Sequence, residues 1–302
     1  MRRWGILTAL TAFVVVGSCA PVPKSRPPPA APLPPPVIST PVDVGTTGYE
    51  LADFWLAKDA VQGGLIIGRA PSGTWEVSLG GKTVPLTPEG FFLIGFDRDA
   101  GASARLSAKR VGGSIVETIV AIAPGNWRIE NVNASPTGSA STSAEFQARR
   151  GAELARINAA RSSKAVSDGW RQEFMTPLAG RVSGLFGAQR VYRGTPGSYH
   201  SGMDIAAPAG TVFVAPADGL VILAATEEFT LEGHLLMIDH GMGLNSAFLH
   251  CSELLVREGD YVKKGQIIGR VGSTGRASGP HLHWGMKWNS ARVDPKLMIP
   301  AL

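Results

Sequence analysis

Four side chains that can bind a metal or carry a proton stand at short spacings in the C-terminal third of the chain. His281 and His283 flank Leu282 directly after Ser278-Gly279-Pro280, and upstream lies His200-Ser201-Gly202-Met203-Asp204. Residues two apart in a strand point to one face, so an extended stretch from Pro280 to Met286 lets both histidines look into one cavity. One can then hold a metal while the other handles protons. His200 and Asp204 are four apart, which would stack them on a helix, but the intervening Gly202 and the following Pro208-Ala209-Gly210 predict a loop. Either geometry could deliver a nitrogen and an oxygen ligand. Two histidines with one carboxylate make a three-ligand zinc set whose fourth position is left for water or substrate, as hydrolysis requires. No histidine precedes a glutamate, so the helix-borne zinc protease signature is absent and the base must come from elsewhere.

Several further blocks stand in order around these residues: Gly184-Leu185-Phe186-Gly187, His200 to Pro208, Ala217-Asp218-Gly219, Ile238-Asp239-His240-Gly241, Val262 to Gly269, and Gly272-Ser273-Thr274-Gly275 leading into Gly279-Pro280-His281-Leu282-His283. Together, residues from about Pro177 to Pro295 resemble the M23 peptidases, the LytM or lysostaphin-like zinc endopeptidases of bacterial cell walls. The resemblance implies zinc on His200, Asp204 and His283, with His250 and His281 as catalytic histidines and peptidoglycan as substrate. Phe248 stands where the family more often has tyrosine and Cys251 where it more often has leucine, a departure that bears on substrate positioning and leaves the ligand set intact.

The implied chemistry is amide hydrolysis. A zinc ion lowers the pKa of its water toward roughly 7 and polarises a carbonyl, and two histidines with reference values near roughly 6.5 can take up and return the proton. The remaining histidines read as structural: His240 between Asp239 and Gly241, and His234 after Gly233 at the start of an apolar run. Of the two classes the chain could belong to, an endopeptidase cutting peptide crosslinks and a non-catalytic LytM-type protein that binds cell wall or activates an amidase, the first is favoured because all five family positions are filled.

These residues need a rigid frame. In the C-terminal region Val212–Val214, Gly219–Ala224, Leu235–Ile238, Leu244–Phe248, Gln266–Val271 and His281–Met286 read as strands of an antiparallel sheet, with His250 just past a strand end. From about Gly48 to Asn133 short apolar runs follow one another, among them Leu65–Ile67, Trp75–Leu79, Phe91–Phe96 and Ile115–Ile122, with Gly80-Gly81 as a hairpin turn. They predict a β-sandwich or barrel without a metal or nucleophile of its own. Between the two, Ser143 to about Phe174 is rich in Ala, Arg and Glu with a thin apolar stripe of Phe146, Leu154 and Ile157, which predicts a helix or helical hairpin lying on the catalytic region.

The N-terminus reads as an export address. Arg2-Arg3 are followed by apolar Ile6 to Val16, too short for a comfortable membrane span, and Val16-Gly17-Ser18 precede Cys19 as in a lipobox. Cys19 is the expected lipidation site, and with no aspartate behind it the outer membrane is favoured. Once Cys19 is lipidated, Cys251 is the remaining cysteine, so the mature chain can form no internal disulfide. Pro21 to Pro41 carries Lys24 and Arg26 as its charged residues and predicts a semi-rigid spacer. The net charge is +5, but the basic residues are scattered and no aromatic-rich basic motif accompanies them, which argues against nucleic acid and suits anionic wall polymers.

The expected architecture is therefore mainly β: a signal peptide (1–19), a proline-rich linker (20–43), a β-sandwich-like domain (44–135), a helical connector (140–176) and an antiparallel LytM-type catalytic domain (177–302). It would carry one zinc, act on peptidoglycan in the periplasm and meet the membrane through its lipid.

Overall fold

The computed structural model describes residues 48–135 and 143–300. Cys19 and the proline-rich stretch lie outside the described residues.

The first half is built from β1 (Tyr49–Leu51), β2 (Phe54–Leu56), β3 (Ala60–Val61), β4 (Leu65–Arg69), β5 (Thr74–Leu79), β6 (Lys82–Val84), β7 (Phe91–Gly95), β8 (Ser103–Arg110), β9 (Ile115–Ala123) and β10 (Ile129–Val132). One sheet has the order β1-β2-β4-β7 and another β3-β9-β8-β5-β6. Phe54, Leu56, Ile66 and Phe92 of the first sheet and Val77, Leu106 and Val120 of the second are buried in one core, so the strand-rich reading holds as a two-sheet, sandwich-like packing. The turn at Gly80-Gly81 joins Leu79 to its partner Lys82 with φ of 57° and 79°, the positive values a type I′ hairpin needs and glycine supplies without strain.

The helical segment is one helix, α1 (Ala144–Arg161), and not a hairpin. Ser143 Oγ accepts from the Phe146 amide at 3.1 Å and Glu145 sits in the first turn, which starts the helix. After Ser162 the chain runs out as far as a short 3-10 turn at Gly169–Arg171. Ile157 is buried against Leu223, Leu235, Met237 and Ala247, while Leu154 stays exposed. The helix also buries Glu153, whose carboxylate accepts from Arg149, Arg150 and the Thr230 amide and hydroxyl. No helix among the described residues is long and apolar enough to cross a membrane.

The second half comprises β11 (Arg181–Gly184), β12 (Gln189–Tyr192), β13 (Thr195–Pro196), β14 (Met203–Ala206), β15 (Val212–Val214), β16 (Gly219–Phe229), β17 (Gly233–Gly241), β18 (Leu244–Cys251), β19 (Glu253–Leu254), β20 (Tyr261–Val262), β21 (Ile267–Arg270), β22 (His281–Trp288) and β23 (Ala291–Val293). The main sheet is antiparallel in the order β11-β14-β22-β18-β17-β16-β20, with β23 on β22. Its two faces follow from alternation. Leu282, Trp284, Met286 and Trp288 of β22 point into the core with Leu244, Ser246 and Phe248 of β18, and the small sheet β15-β21-β19 covers that side through Phe213 and Ile268. The opposite face carries His281, His283, Gly285 and Lys287, and α1 lies over part of it. The strand from the first half, β10, pairs in parallel with β12, so the chain stretch ahead of His200 is hydrogen-bonded to both halves.

Candidate metal centre and catalytic groove

His200, Asp204 and His283 come together although 83 residues separate the first from the last. Asp204 lies on strand β14 and not in a loop, opposite His283 in the β14–β22 ladder, while His200 sits in the turn before that strand. Period-two alternation along β22 then puts His281 on the same face as His283. His283 Nδ1 lies 2.8 Å from Asp204 Oδ1, His200 Nε2 lies 3.0 Å from the same oxygen, and the two ring nitrogens are 3.1 Å apart. Among the described residues this is the group of His, Cys, Asp and Glu side chains whose donor atoms converge within 4.8 Å.

The rings are held by backbone carbonyls, which can only accept. His200 Nδ1 must therefore carry its proton toward Leu185 O at 3.0 Å, leaving the Nε2 lone pair for the cluster. His250 Nδ1 donates to Thr274 O at 2.9 Å and His281 Nδ1 to Gly279 O at 2.8 Å, so in each ring Nε2 is the nitrogen not engaged by a backbone anchor. His281 Nε2 stands 3.8 Å from Asp204 Oδ1, and the His250 and His281 ring centres are 5.0 Å apart. All five residues that the family resemblance singled out thus meet in one groove.

His250 arrives there by a bulge. In the β17–β18 ladder His234 pairs with Cys251 and Leu236 with Phe248, so Leu249 and His250 together face Leu235. His250 takes φ of 64°, a left-handed value that turns its ring out of the ladder and toward the histidine pair. It belongs to β18 and does not follow it, a correction to the strand-end expectation.

Close backbone approach fixes the rest of the cluster. A Cβ on Gly202 would fall 2.7 Å from His283 Nε2 and 2.6 Å from Trp284 O, and one on Gly184 would fall 2.3 Å from Asp204 Oδ2. Neither site has room for a side chain.

Electrostatics favour a cation. Burial works against the Asp204 charge, but hydrogen bonds and attraction from His200 and His283 outweigh it and hold the carboxyl well below the usual carboxylate range. Burial pushes His283 and His250 below the ordinary histidine value, while for His200 the contacts with Asp204 overcome burial and raise it. The donor set, two imidazole nitrogens and a carboxylate oxygen, suits a divalent ion of zinc type. Bonds of 2.0–2.2 Å in a tetrahedron require donor atoms about 3.3 Å apart, and the observed 2.8–3.1 Å needs only a few tenths of an ångström of opening.

The groove itself has a volume of about 790 Å³, with Leu231, Glu232, Arg276 and Pro280 along its walls. Sequence reading missed three anchoring carbonyls, of Leu185, Thr274 and Gly279. Backbone acceptors have no side-chain signature; only the glycine-rich blocks around them marked these stretches. It also missed Glu232, which accepts from both Nη atoms of Arg150 at 2.6 and 2.7 Å and so ties α1 to the rim. Phe248 lies outside the groove, buried between Phe213 and Trp284, so its departure from the family tyrosine falls in the core. His240 and His234 stand apart from the cluster, His240 bonded to Asp218 O and Ser246 Oγ and His234 to Cys251 O.

Comparison with known proteins agrees with this picture. The model of peptidase family M23 matches residues 198–295. The peptidoglycan DD-endopeptidase ShyA of Vibrio cholerae is 37% identical over 105 residues, covering 34% of this chain and 24% of that protein. The DD-carboxypeptidase/endopeptidase Mpg of Neisseria meningitidis is 41% identical over 96 residues, 32% of this chain and 22% of that one. The matched stretch thus spans about a quarter of these curated relatives. A solved structure from Pseudomonas aeruginosa described as peptidase M23 superposes with a TM-score of 0.63 at 29% identity, covering 81% of this chain and 97% of that one.

Proposed function

Residues 198–295 form a peptidase family M23 domain, and from that premise we propose that the chain is a zinc metalloendopeptidase hydrolysing peptide crosslinks of peptidoglycan. The observation that carries the reading is the convergence of His200 Nε2, Asp204 Oδ1 and His283 Nδ1 within 3.1 Å beside two histidines whose Nε2 atoms are not engaged by a backbone anchor. The three converging residues would hold the metal, which when bound supplies Lewis acidity toward a water and the scissile carbonyl.

His250 and His281 handle the protons. Each keeps its Nδ1 proton on a carbonyl, so each Nε2 can take a proton from water and then return one to the leaving amine. Burial keeps His250 neutral at physiological pH, the state a base needs. Once protonated, the same ring donates to the developing oxyanion. The strained turn at His250 and the Thr274 carbonyl orient this ring without help from a carboxylate. The open groove, lined by backbone-rich residues 276–280 on one side and Leu231 and Glu232 on the other, accepts an extended peptide.

Export and lipid attachment at Cys19, with the proline-rich stretch as a spacer and the outer membrane as anchor, complete the reading. They rest on the order of charged, apolar and small residues before Cys19. Cys19→Ala should release the protein from the membrane fraction.

The deciding experiment is digestion of purified crosslinked peptidoglycan by the protein and by His283→Ala, with zinc measured in both. Joint loss of cleavage and zinc in the variant is expected. A zinc-loaded wild type that cuts nothing would overturn the enzyme reading in favour of a non-catalytic wall-binding or amidase-activating protein.

A further inference from the structure

The face of the main sheet that bears His283 continues beyond the groove. Along β22 it presents His283, Gly285 and Lys287, and opposite them on β18 stand Leu249, Ala247 and Asn245. The helix α1 roofs this stretch and encloses a cavity of about 180 Å³ between itself and the sheet. His283, Ser201, Glu232 and Leu249 line both this cavity and the groove, so the two meet at a metal-ligand candidate. Gly285 in its floor leaves it open, because it has no side chain to fill the space.

The far end of the cavity is cationic. Arg161 from the last turn of α1, Lys287 from β22 and Arg292 from β23 all line it. None forms an ion pair among the described residues; Arg292 reaches the Tyr199 hydroxyl at 3.4 Å, and Arg161 Nε is buried without an acceptor. Burial and mutual repulsion pull Arg161 and Lys287 below their ordinary values. Glu232 offsets part of this at Arg161 and Asp97 part of it at Lys287, but neither forms an ion pair with these cations: Glu232 is engaged by Arg150, and Asp97 accepts from the Tyr199 hydroxyl and the Arg292 amide. Asn245 lies directly opposite Lys287 with 6% of its surface exposed, and its Oδ1 has no donor. Buried groups of this kind cost folding free energy and persist when something else satisfies them. The three cations call for an anion with several acceptor oxygens, and the asparagine oxygen calls for an N–H beside it.

A peptide residue with a free carboxylate offers both. We propose that this cavity is a carboxylate subsite of the same active site, in which Arg161, Lys287 and Arg292 hold the free carboxylate of a residue flanking the scissile amide while an N–H of that residue donates to Asn245 Oδ1. The inference rests on the peptidase reading and names its substrate class: crosslinks in which a residue flanking the cut bond keeps a free carboxyl group. Its roof, α1, lies outside residues 198–295, so Arg161 reaches the subsite from beyond the matched domain while Asn245, Lys287 and Arg292 belong to it.

Two measurements test it on the full chain loaded with zinc. In the first, N-acetylalanine and N-acetylalaninamide are titrated into wild type, Lys287→Met and Arg161→Met, with binding followed by NMR. The acid should bind wild type at least about tenfold more tightly than the amide, the loss expected from a removed charge-assisted contact, and each variant should lose that preference. Equal binding of acid and amide by wild type, or a preference that survives in both variants because the metal alone holds the carboxylate, overturns the subsite. In the second, crosslinked peptides with free or amidated carboxyl groups are digested. A drop of about tenfold or more in kcat/KM on amidation, absent in Lys287→Met, is expected, and equal rates with both substrates overturn the proposal. A wild type that binds the acid selectively yet cuts neither peptide sinks the peptidase reading and leaves the carboxylate site standing. Thermal melts of both variants control for folding, and Gly285→Ala, whose Cβ meets only ordinary contacts, narrows the cavity without touching a charge.

Discussion

Asp204 and His283 are direct partners across the β14–β22 ladder, and the sheet register alone brings Oδ1 of one within 2.8 Å of Nδ1 of the other. Two of three candidate ligands are thus positioned by backbone hydrogen bonds, and only His200 depends on a turn. Asp204→Ala should therefore leave the ladder intact while removing the carboxylate. We expect its zinc affinity to fall by more than the roughly 10–100-fold that a ligand's outer partner is worth, with the melting curve of the zinc-free protein nearly unchanged. Isothermal titration with zinc and a melt in chelator check the two halves of that statement; a normal zinc affinity would remove Asp204 from the ligand set.

Gly202 sits against the back of His283, so Gly202→Ala should act on the ligand without replacing it. Its Cβ would press on Nε2 and on the Trp284 carbonyl, and neither is the free end of a flexible chain. Overpacking of this kind costs about 1–3 kcal/mol. Zinc affinity and stability should fall together, and unchanged values in both would mean that the 203–206 strand shifts freely.

How much of this was readable beforehand depends on how each residue is held. His281 and His283 were legible because a strand repeats every two residues, and the chain around them is extended as their spacing requires. The sandwich-like first half was legible from alternating apolar runs, although β1, β2 and β3 escaped because strands of two or three residues interrupted by turns leave no period to detect. His250 could be identified only by resemblance, since a bulge is a mismatch between two strands and neither strand encodes it alone. The cavity under α1 was not legible at all: Arg161, Asn245 and Lys287 are joined by tertiary packing across more than a hundred residues, and the thin apolar stripe of the helix showed only that it would lie on the sheet.

Cys251 is fully buried and burial pushes its thiol up to about 12. The thiolate is the reactive form. In the folded protein Cys251 should resist alkylation by iodoacetamide at pH 8 and react fully in denaturant, as mass spectrometry would record; rapid labelling of the native chain would show that the β18 end opens.

The latch between the two halves is Arg98. Its Nε donates to Gly187 O at 3.0 Å and its Nη2 to Gln189 Oε1 at 3.0 Å, while the guanidinium lies 4.8 Å from the Tyr199 ring centre. Gly187 and Ala188 in turn exchange backbone bonds with His200, so the first half of the chain braces the one candidate ligand that a turn carries. Arg98→Ala should cost roughly 2–4 kcal/mol, the range for losing charged hydrogen bonds and leaving buried acceptors unpaired, and should also weaken zinc binding. Lysine cannot reproduce the planar fork and should not rescue either property. A variant that melts early yet binds zinc normally would separate the brace from the site.

The buried ring of His240 makes stability pH-dependent away from the metal cluster. It is wholly buried, and a relay fixes its state: Trp284 Nε1–H donates to Ser246 Oγ, the hydroxyl donates to His240 Nε2, and Nδ1–H donates to Asp218 O. Burial drives its pKa down to about 4, despite the opposing pull of the Asp218 contacts. In the folded chain the ring stays neutral down to that pH, whereas the unfolded chain takes up a proton near pH 6.5. Between those values the unfolded state binds more protons, so stability falls as pH drops through the window and levels off below about 4, a loss on the order of 3 kcal/mol. His240→Gln removes this titration and keeps part of the hydrogen bonding. At pH 7 the variant should be less stable than wild type, and at pH 4 the gap should shrink by about that amount in urea unfolding with chelator present. A gap that stays constant would mean that the ring gains a proton, or a water to share it, without leaving the fold.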